Sequence, residues 1–253
     1  MCPAIGCAEL ADLRVSWAFT WHHTVPDWLE GCAIEVIPMI WGARTTRADL
    51  AGNSDWLMTF NEPDHPGQAN LSPEQGATAY RLIETWYPDK LLISPAVVFG
   101  WQWLIDMRAA YISRYGAAPR FDAFGLHCYP VKPSLTLLDW TRQLLDEGER
   151  LCDLWGVKGG IWVNEWAQWD SDKRDLQRSE VLQMTILLNN RKSVAGHAMW
   201  ALSYSMNPGP DAVWQPPTCD TRLLDCETGS LTALGHAYAA HKVFFPVISR
   251  GGS

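Results

Sequence analysis

Eight short apolar runs recur along this chain, and helix-patterned segments separate the later ones. The runs cover residues 3–6, 14–21, 34–41, 56–60, 91–98, 124–129, 160–165 and 198–204. Most are apolar nearly throughout rather than alternating, which is how strands read when a parallel sheet buries both of their faces. Ser72-Pro73-Glu74-Gln75 combines a capping box with Pro at the first helical position. It opens a helix that runs to Trp86 and stops before Pro88. Helical spacing of apolar residues also marks 103–115, 134–155, 172–190 and 231–243. Alternating strand and helix over 253 residues predicts an α/β fold, a (β/α)8 TIM barrel in one domain spanning residues 1–253. The first four strand units fit within residues 3–62, so helices in the N-terminal half must be short, as at 8–13 and 26–29, or missing. An open doubly wound sheet is the alternative, although no G-x-G-x-x-G or Walker fingerprint supports its nucleotide-binding versions.

Two of the runs end in a carboxylate: Thr59-Phe60-Asn61-Glu62-Pro63-Asp64 and Ile161-Trp162-Val163-Asn164-Glu165-Trp166. A charge at the end of a buried strand costs several kcal/mol or forces a pKa shift. In a barrel, the C-terminal strand ends form the active-site mouth. On the eight-strand count Glu62 ends strand 4 and Glu165 ends strand 7, which face each other across that mouth. Paired carboxylates so placed are the machinery of a glycoside hydrolase. The plainer reading is that each caps the following helix or pairs with an Arg. His127 and Tyr129, two residues apart, share one face of their strand, from which they could orient the strand-7 carboxylate. The plainer reading of His127 is a hydrogen-bonded core residue. Cys128 lies on the opposite face, which argues against a thiol nucleophile.

Composition narrows the partner. The 15 Trp outnumber the 7 Phe and the 7 Tyr. Most belong in the core, but an indole is also a flat stacking platform for the apolar face of a sugar ring. Trp41 at the end of the third run and Trp200 in the last are placed to floor a sugar subsite. Trp101, Trp166, Trp169 and Trp214 fall in predicted loops above the mouth. The net charge of −8 argues against nucleic acid or an anionic membrane surface as partner and favours a neutral substrate. No apolar run reaches the length of a membrane span. The seven Cys are an odd number without C-x-x-C, and Cys2–Cys7 and Cys219–Cys226 are conceivable short bridges. Scattered Cys and the adjacent His22-His23 suit no metal site, and nothing calls for a cofactor. The first residues show no signal-peptide pattern, which leaves the compartment open.

Further matches identify the pattern. Val36-Ile37-Pro38-Met39-Ile40-Trp41-Gly42, then Asn61-Glu62-Pro63-Asp64 continued by Gly67-Gln68-Ala69-Asn70-Leu71-Ser72-Pro73, resembles glycoside hydrolase family 128. Ser94-Pro95-Ala96, Leu126-His127-Cys128-Tyr129, Trp162-Val163-Asn164-Glu165 and Gly229-Ser230-Leu231-Thr232-Ala233-Leu234-Gly235 extend the resemblance over nearly the whole chain. It implies a retaining endo-β-1,3-glucanase with Glu62 as acid/base and Glu165 as nucleophile; a monomer is expected. It further implies that Asn61 holds the substrate 2-hydroxyl, that Tyr129 bonds Glu165 and that Trp200 lies under the scissile sugar. A polysaccharide substrate in turn suggests an extracellular enzyme. Cys128 and Asn164 depart from the family pattern, which often has Trp and Thr there. The same chemistry on a β-1,4 polymer, or a barrel that binds glucan without cutting it, are the rival readings.

Overall fold

The computed structural model describes residues 7–131, 134–167 and 174–199. Seven strands run through them: β1 (Trp17–Phe19), β2 (Glu35–Ile37), β3 (Trp56–Asn61), β4 (Leu91–Ala96), β5 (Phe124–Cys128), β6 (Ile161–Trp166) and β7 (Val194–Met199). Every ladder is parallel. The strands form three small sheets, β1-β2, β3-β4 and β5-β6-β7. Isolated bridges at Met39–Met58, Ile93–Ala123 and Val97–Leu126 join these sheets in chain order. Five helices accompany them: α1 (Cys7–Asp12), α2 (Pro73–Trp86), α3 (Gln102–Tyr115), α4 (Leu137–Trp155) and α5 (Arg174–Asn190).

The row of strands curls back on itself. Trp17 of β1 meets Trp162 of β6 edge-on, with ring centroids 5.1 Å apart. One face of the row buries Trp17, Ile37, Met39, Met58, Ile93, Ala123 and Trp162 in a single inner cluster. The other face, with Leu57, Phe60, Leu92, Phe124 and Val163, packs on Tyr80, Leu104 and Leu144 of the helices. Two buried faces per strand explain why the runs are apolar throughout. The helices seat closely. A Cβ at Gly148 of α4 would lie 2.6 Å from the Trp101 ring and 2.8 Å from Ile161, so only glycine allows this approach. At the start of α2, Ser72 Oγ accepts from the Gln75 amide while the Gln75 side chain accepts from the Ser72 amide, the capping box read from sequence.

The N-terminal part is thin, as expected, but its strands are shorter than their apolar runs. The second run ends as a strand at Phe19, because Trp21 turns the chain with φ 54°. In the third, the side chain of Asn53 substitutes for a neighbouring strand: its Oδ1 accepts from Val36 N at 2.7 Å and its Nδ2 donates to Ile34 O at 3.0 Å. A disulfide between Cys7 and Cys32 ties α1 to the segment before β2, so the Cys2–Cys7 bridge considered from sequence gives way to this one. The last strand begins at Val194, four residues before the position expected at 198, in register with β6 through Ile161–Val194 and Val163–His197. The run at 3–6, the helix at 231–243, Trp169, Trp200, Trp214, Cys219 and Cys226 lie outside the described residues. Among the described residues, no helix is long and apolar enough to cross a membrane.

Candidate active site

The C-terminal ends of β3, β5 and β6 bring Glu62, His127 and Glu165 together. His127 and Glu165 are register partners across β5 and β6, just past an irregularity in the ladder after Leu126. Such bulges re-aim side chains at strand ends. Here the amide of Leu126 is satisfied by the side chain of Asn164, whose Oδ1 accepts at 3.3 Å. Glu62 follows β3 with φ 42°, its N–H donating to Ala96 O on β4 at 2.9 Å. Among the described residues only four non-glycine positions have positive φ, and two of them, Glu62 and Trp21, lie in this site. A left-handed backbone at Glu and Trp costs on the order of 1–3 kcal/mol and persists where the surroundings impose it.

Glu165 is the crowded carboxylate. Its Oε1 accepts from the Trp21 indole N–H, and its Oε2 accepts from the Tyr129 hydroxyl at 2.6 Å. His127 Nδ1 lies 3.4 Å from the same Oε2 and 2.8 Å from Glu62 Oε1, so the ring stands between the two acids. His127 is fully buried and Glu165 nearly so. Burial pushes the Glu165 pKa up, against the opposing pull of His127, Tyr129 and Trp21. Burial alone would lower the pKa of His127, but the charge of Glu165 and the hydrogen bond and charge of Glu62 outweigh it, and the net shift is upward. Both shifts say the same thing: the cluster holds a proton more tightly than its members would in water. Burial, then the charge of Glu165, raises Tyr129 well above the ordinary phenol range, so it stays a donor.

Glu62, His127 and Glu165 each offer one atom within 4.8 Å of the others. They are the one group among the described residues close enough to hold a metal ion. The 2.8 Å contact from Nδ1 to Oε1 is nevertheless a hydrogen-bond length, with a proton between the atoms. Asn61, the last residue of β3, donates from Nδ2 to Gln68 Oε1 at 3.1 Å, while its buried Oδ1 has no partner among the described residues. Trp41 hands its carbonyl to the Asn61 amide at 2.8 Å and leaves its side chain 40% exposed.

The family follows from a comparison of the whole chain. The sequence profile of the glycosyl hydrolase catalytic core matches residues 6–238. The chain belongs to this glycosyl hydrolase family. The hydrolase is similar in structure to an endo-β-1,3-glucanase of family 128, subgroup I, from Amycolatopsis mediterranei in complex with laminaritriose. That match has 25% identity, 94% of this chain and 96% of that one covered, and a TM-score of 0.70. A subgroup II endo-β-1,3-glucanase from Sorangium cellulosum matches with 22% identity, 94% and 95% coverage and a TM-score of 0.73. A subgroup III curdlan-specific exo-β-1,3-glucanase from Blastomyces gilchristii, in complex with glucose, matches with 24% identity, 92% and 93% coverage and a TM-score of 0.69. Variants of the Amycolatopsis enzyme with one or another of two glutamates replaced hold laminari-oligosaccharides. Comparison with curated proteins finds no match. The resemblance to family 128 read from the sequence is thus borne out.

Of the other sequence-predicted site residues in the hydrolase, two belong elsewhere. Trp166 is the last residue of β6, fully buried beside His197 with ring centroids 6.2 Å apart. It neighbours Glu165 in a strand, so its side chain takes the opposite face. Trp101 is buried just before α3, where its Nε1 donates to Leu144 O at 2.8 Å. Both are core residues rather than loop platforms. Cys128 is buried with its thiol pushed up to about 12, which keeps it protonated and inert. Three site residues went unread in the sequence. Trp21 lies beyond its strand. Asp64 is half-buried and accepts from the amides of Val98 and Phe99 after β4. Phe99 is exposed.

Proposed function

We propose that this glycoside hydrolase is a retaining endo-β-1,3-glucanase, with Glu165 as nucleophile and Glu62 as acid/base. One observation carries the reading: carboxylate oxygens of two buried glutamates, on different strands, lie within 4.8 Å of each other with His127 between them. Retaining glycosidases hold their carboxyls about 5–5.5 Å apart, whereas inverting ones need about 6.5–9.5 Å to admit a water. The β-1,3 linkage is supported by the relatives, which are β-1,3-glucanases. The curl that brings Trp17 against Trp162 supports a closed (β/α)8 barrel, with the chain as one catalytic domain.

Hydrogen-bond donors support this division of roles. An indole N–H can only donate, and Tyr129 is held as the phenol, so both oxygens of Glu165 face donors. That arrangement stabilises the anion, as a nucleophile requires. Among the described residues, Glu62 has one side-chain partner, His127. The ring Nε2 of His127 has no partner among the described residues, so the exchangeable proton belongs on Nδ1. Nδ1–H then donates to Glu62 Oε1 and leaves Oε2 to carry the acid proton. Glu62 gives this proton to the leaving glycosidic oxygen as Glu165 attacks the anomeric carbon and the carbon–oxygen bond breaks. Glu62, now ionised, takes a proton from water, which attacks the glycosyl-enzyme and frees Glu165. The open Oδ1 of Asn61 is an acceptor for a sugar hydroxyl, and Trp41 offers an exposed stacking face. Trp200 is retained as the platform under the scissile sugar on the strength of the resemblance. The Cys7–Cys32 disulfide favours an extracellular setting.

The test is product length over time on linear β-1,3-glucan. Mixed oligosaccharides in the first minutes are expected. Glucose alone from the start would move the enzyme to exo action, as in the Blastomyces relative. Release from a β-1,4 polymer but not from β-1,3-glucan would overturn the linkage.

A further inference from the structure

Five large apolar side chains are notably exposed among the described residues: Trp41, Leu82, Phe99, Leu154 and Ile186. Leu82, Leu154 and Ile186 are aliphatic and sit on the outer helices α2, α4 and α5. The two aromatic ones lie elsewhere, just past the C-terminal ends of β2 and β4, the end of the strands that carries Glu62 and Glu165. Phe99 is 49% exposed. It is nonetheless held from three sides.

Its amide donates to Asp64 Oδ2 at 2.8 Å, and the preceding amide of Val98 donates to both oxygens of the same carboxylate at 3.2 and 3.1 Å. Its ring stacks on His65, with centroids 5.5 Å apart and planes 17° from parallel. The His65 ring is fixed in turn, since its Nδ1 accepts from Gly67 N at 3.0 Å. Behind Phe99, Gly100 takes φ 112°, a turn other residues resist, and this sends Trp101 into the core while Phe99 faces outward. Asp64 is two residues past Glu62. The clamp therefore couples the loop bearing the acid to the loop bearing the ring.

Ordering an exposed ring this thoroughly gives nothing to the core. It pre-organises a flat apolar face, which lowers the entropic cost of stacking a ligand on it. We infer that Phe99, seated on His65 and held by Asp64, is a platform for a sugar unit on the leaving-group side of the cleaved bond. The side follows from the acid. Glu62 protonates the leaving oxygen, and the clamp ties Phe99 to the Glu62 loop, away from β1 and β6 that embrace the nucleophile. This inference rests on the catalytic roles proposed above.

Two comparisons test it. The first sets Phe99→Ala against the unmodified enzyme on laminarihexaose, which has sugars on both sides of the bond, and on an aryl β-laminaribioside, which has none on the leaving side. The loss in kcat/KM on the hexasaccharide should exceed that on the aryl glycoside by about fivefold to tenfold, and Phe99→Trp should restore most of it. Equal losses on both substrates, or no loss on either, would overturn the platform. The second measures laminarihexaose affinity by calorimetry for Glu165→Gln with and without Phe99→Ala, which needs no turnover. If the unmodified enzyme releases sugar from no β-glucan, the proposed activity fails while this measurement still decides the platform. Weakening of about fivefold or more supports it, and equal affinity or no binding overturns it.

Discussion

The tips of β3 and β6 carry the same side chain in opposite surroundings. At β6, Glu165 lies within the strand, just past the irregularity in its ladder with β5, and takes hydrogen bonds from Trp21 of the β1 end and Tyr129 of the β5 end. At β3, Glu62 lies just past the strand on a left-handed backbone, with His127 as its side-chain partner. Among the described residues, one acid is surrounded by donors, while the other has a side-chain partner on one oxygen only. On the roles proposed above, the contrast teaches that chemical role follows from what neighbouring strands contribute, since the two residues are identical in kind and similar in burial.

The largest effect that would break the contrast is loss of either acid. Glu165→Gln should reduce turnover by at least about 10³-fold on every substrate, activated aryl glycosides included. Glu62→Gln should be comparably damaged on glucan but far less on aryl glycosides, whose leaving groups need little protonation. Azide should restore activity to Glu165→Ala with inverted product and to Glu62→Ala with retained product. The reverse pattern of rescue would exchange the two roles.

A smaller effect sharpens it. Tyr129→Phe should lower kcat by about tenfold to a hundredfold, the range expected for a hydrogen bond to a charged group. Trp21→Phe should cost about tenfold, because this indole is partly exposed. Circular dichroism should show both variants folded. Full activity in both would mean that the donors around Glu165 contribute nothing, and the two tips would no longer differ.

The smallest effect is on stability against pH. His127 has a raised folded pKa, so its contribution is fully present below the ordinary value of 6.5 and is lost as pH rises through the folded value. His197, buried on β7, behaves oppositely. Burial holds it down to about 4, so stability is lost as pH falls from 6.5 toward 4. Thermal melts should therefore decline on both sides of the ordinary His value. His127→Gln should flatten the alkaline side alone, by at most about 1.4 kcal/mol per pH unit. An unchanged alkaline slope would remove His127 from its place between the acids.

Much of this was legible in the sequence. Apolar runs ending in Asn-Glu marked both tips, and the spacing of His127 and Tyr129 put them on one strand face toward Glu165. The period-2 rule also held the means to exclude Trp166, since a residue beside an inward Glu165 must face the helices. Trp101 was harder, because only the turn at Gly100 decides which aromatic faces out. Trp21 left no local signal. Its role depends on a left-handed turn after β1 and on a partner 144 residues away. The last strand was displaced because Ser193-Val194-Ala195-Gly196 has little apolar weight, and it is the ladder with β6 that makes it a strand.

The Cys7–Cys32 link bears on the site through that same indole. The region around it has, among the described residues, a six-residue helix and two three-residue strands. Segments with so few ladder bonds open at free energies below that of the whole molecule. Closing a loop of this length contributes about 3–4 kcal/mol on the chain-entropy account. Opening of this segment would take Trp21 away from Glu165. Under a thiol reductant, the catalyst would fade on a hydrogen-exchange timescale of its own, ahead of the melting of the fold that carries it.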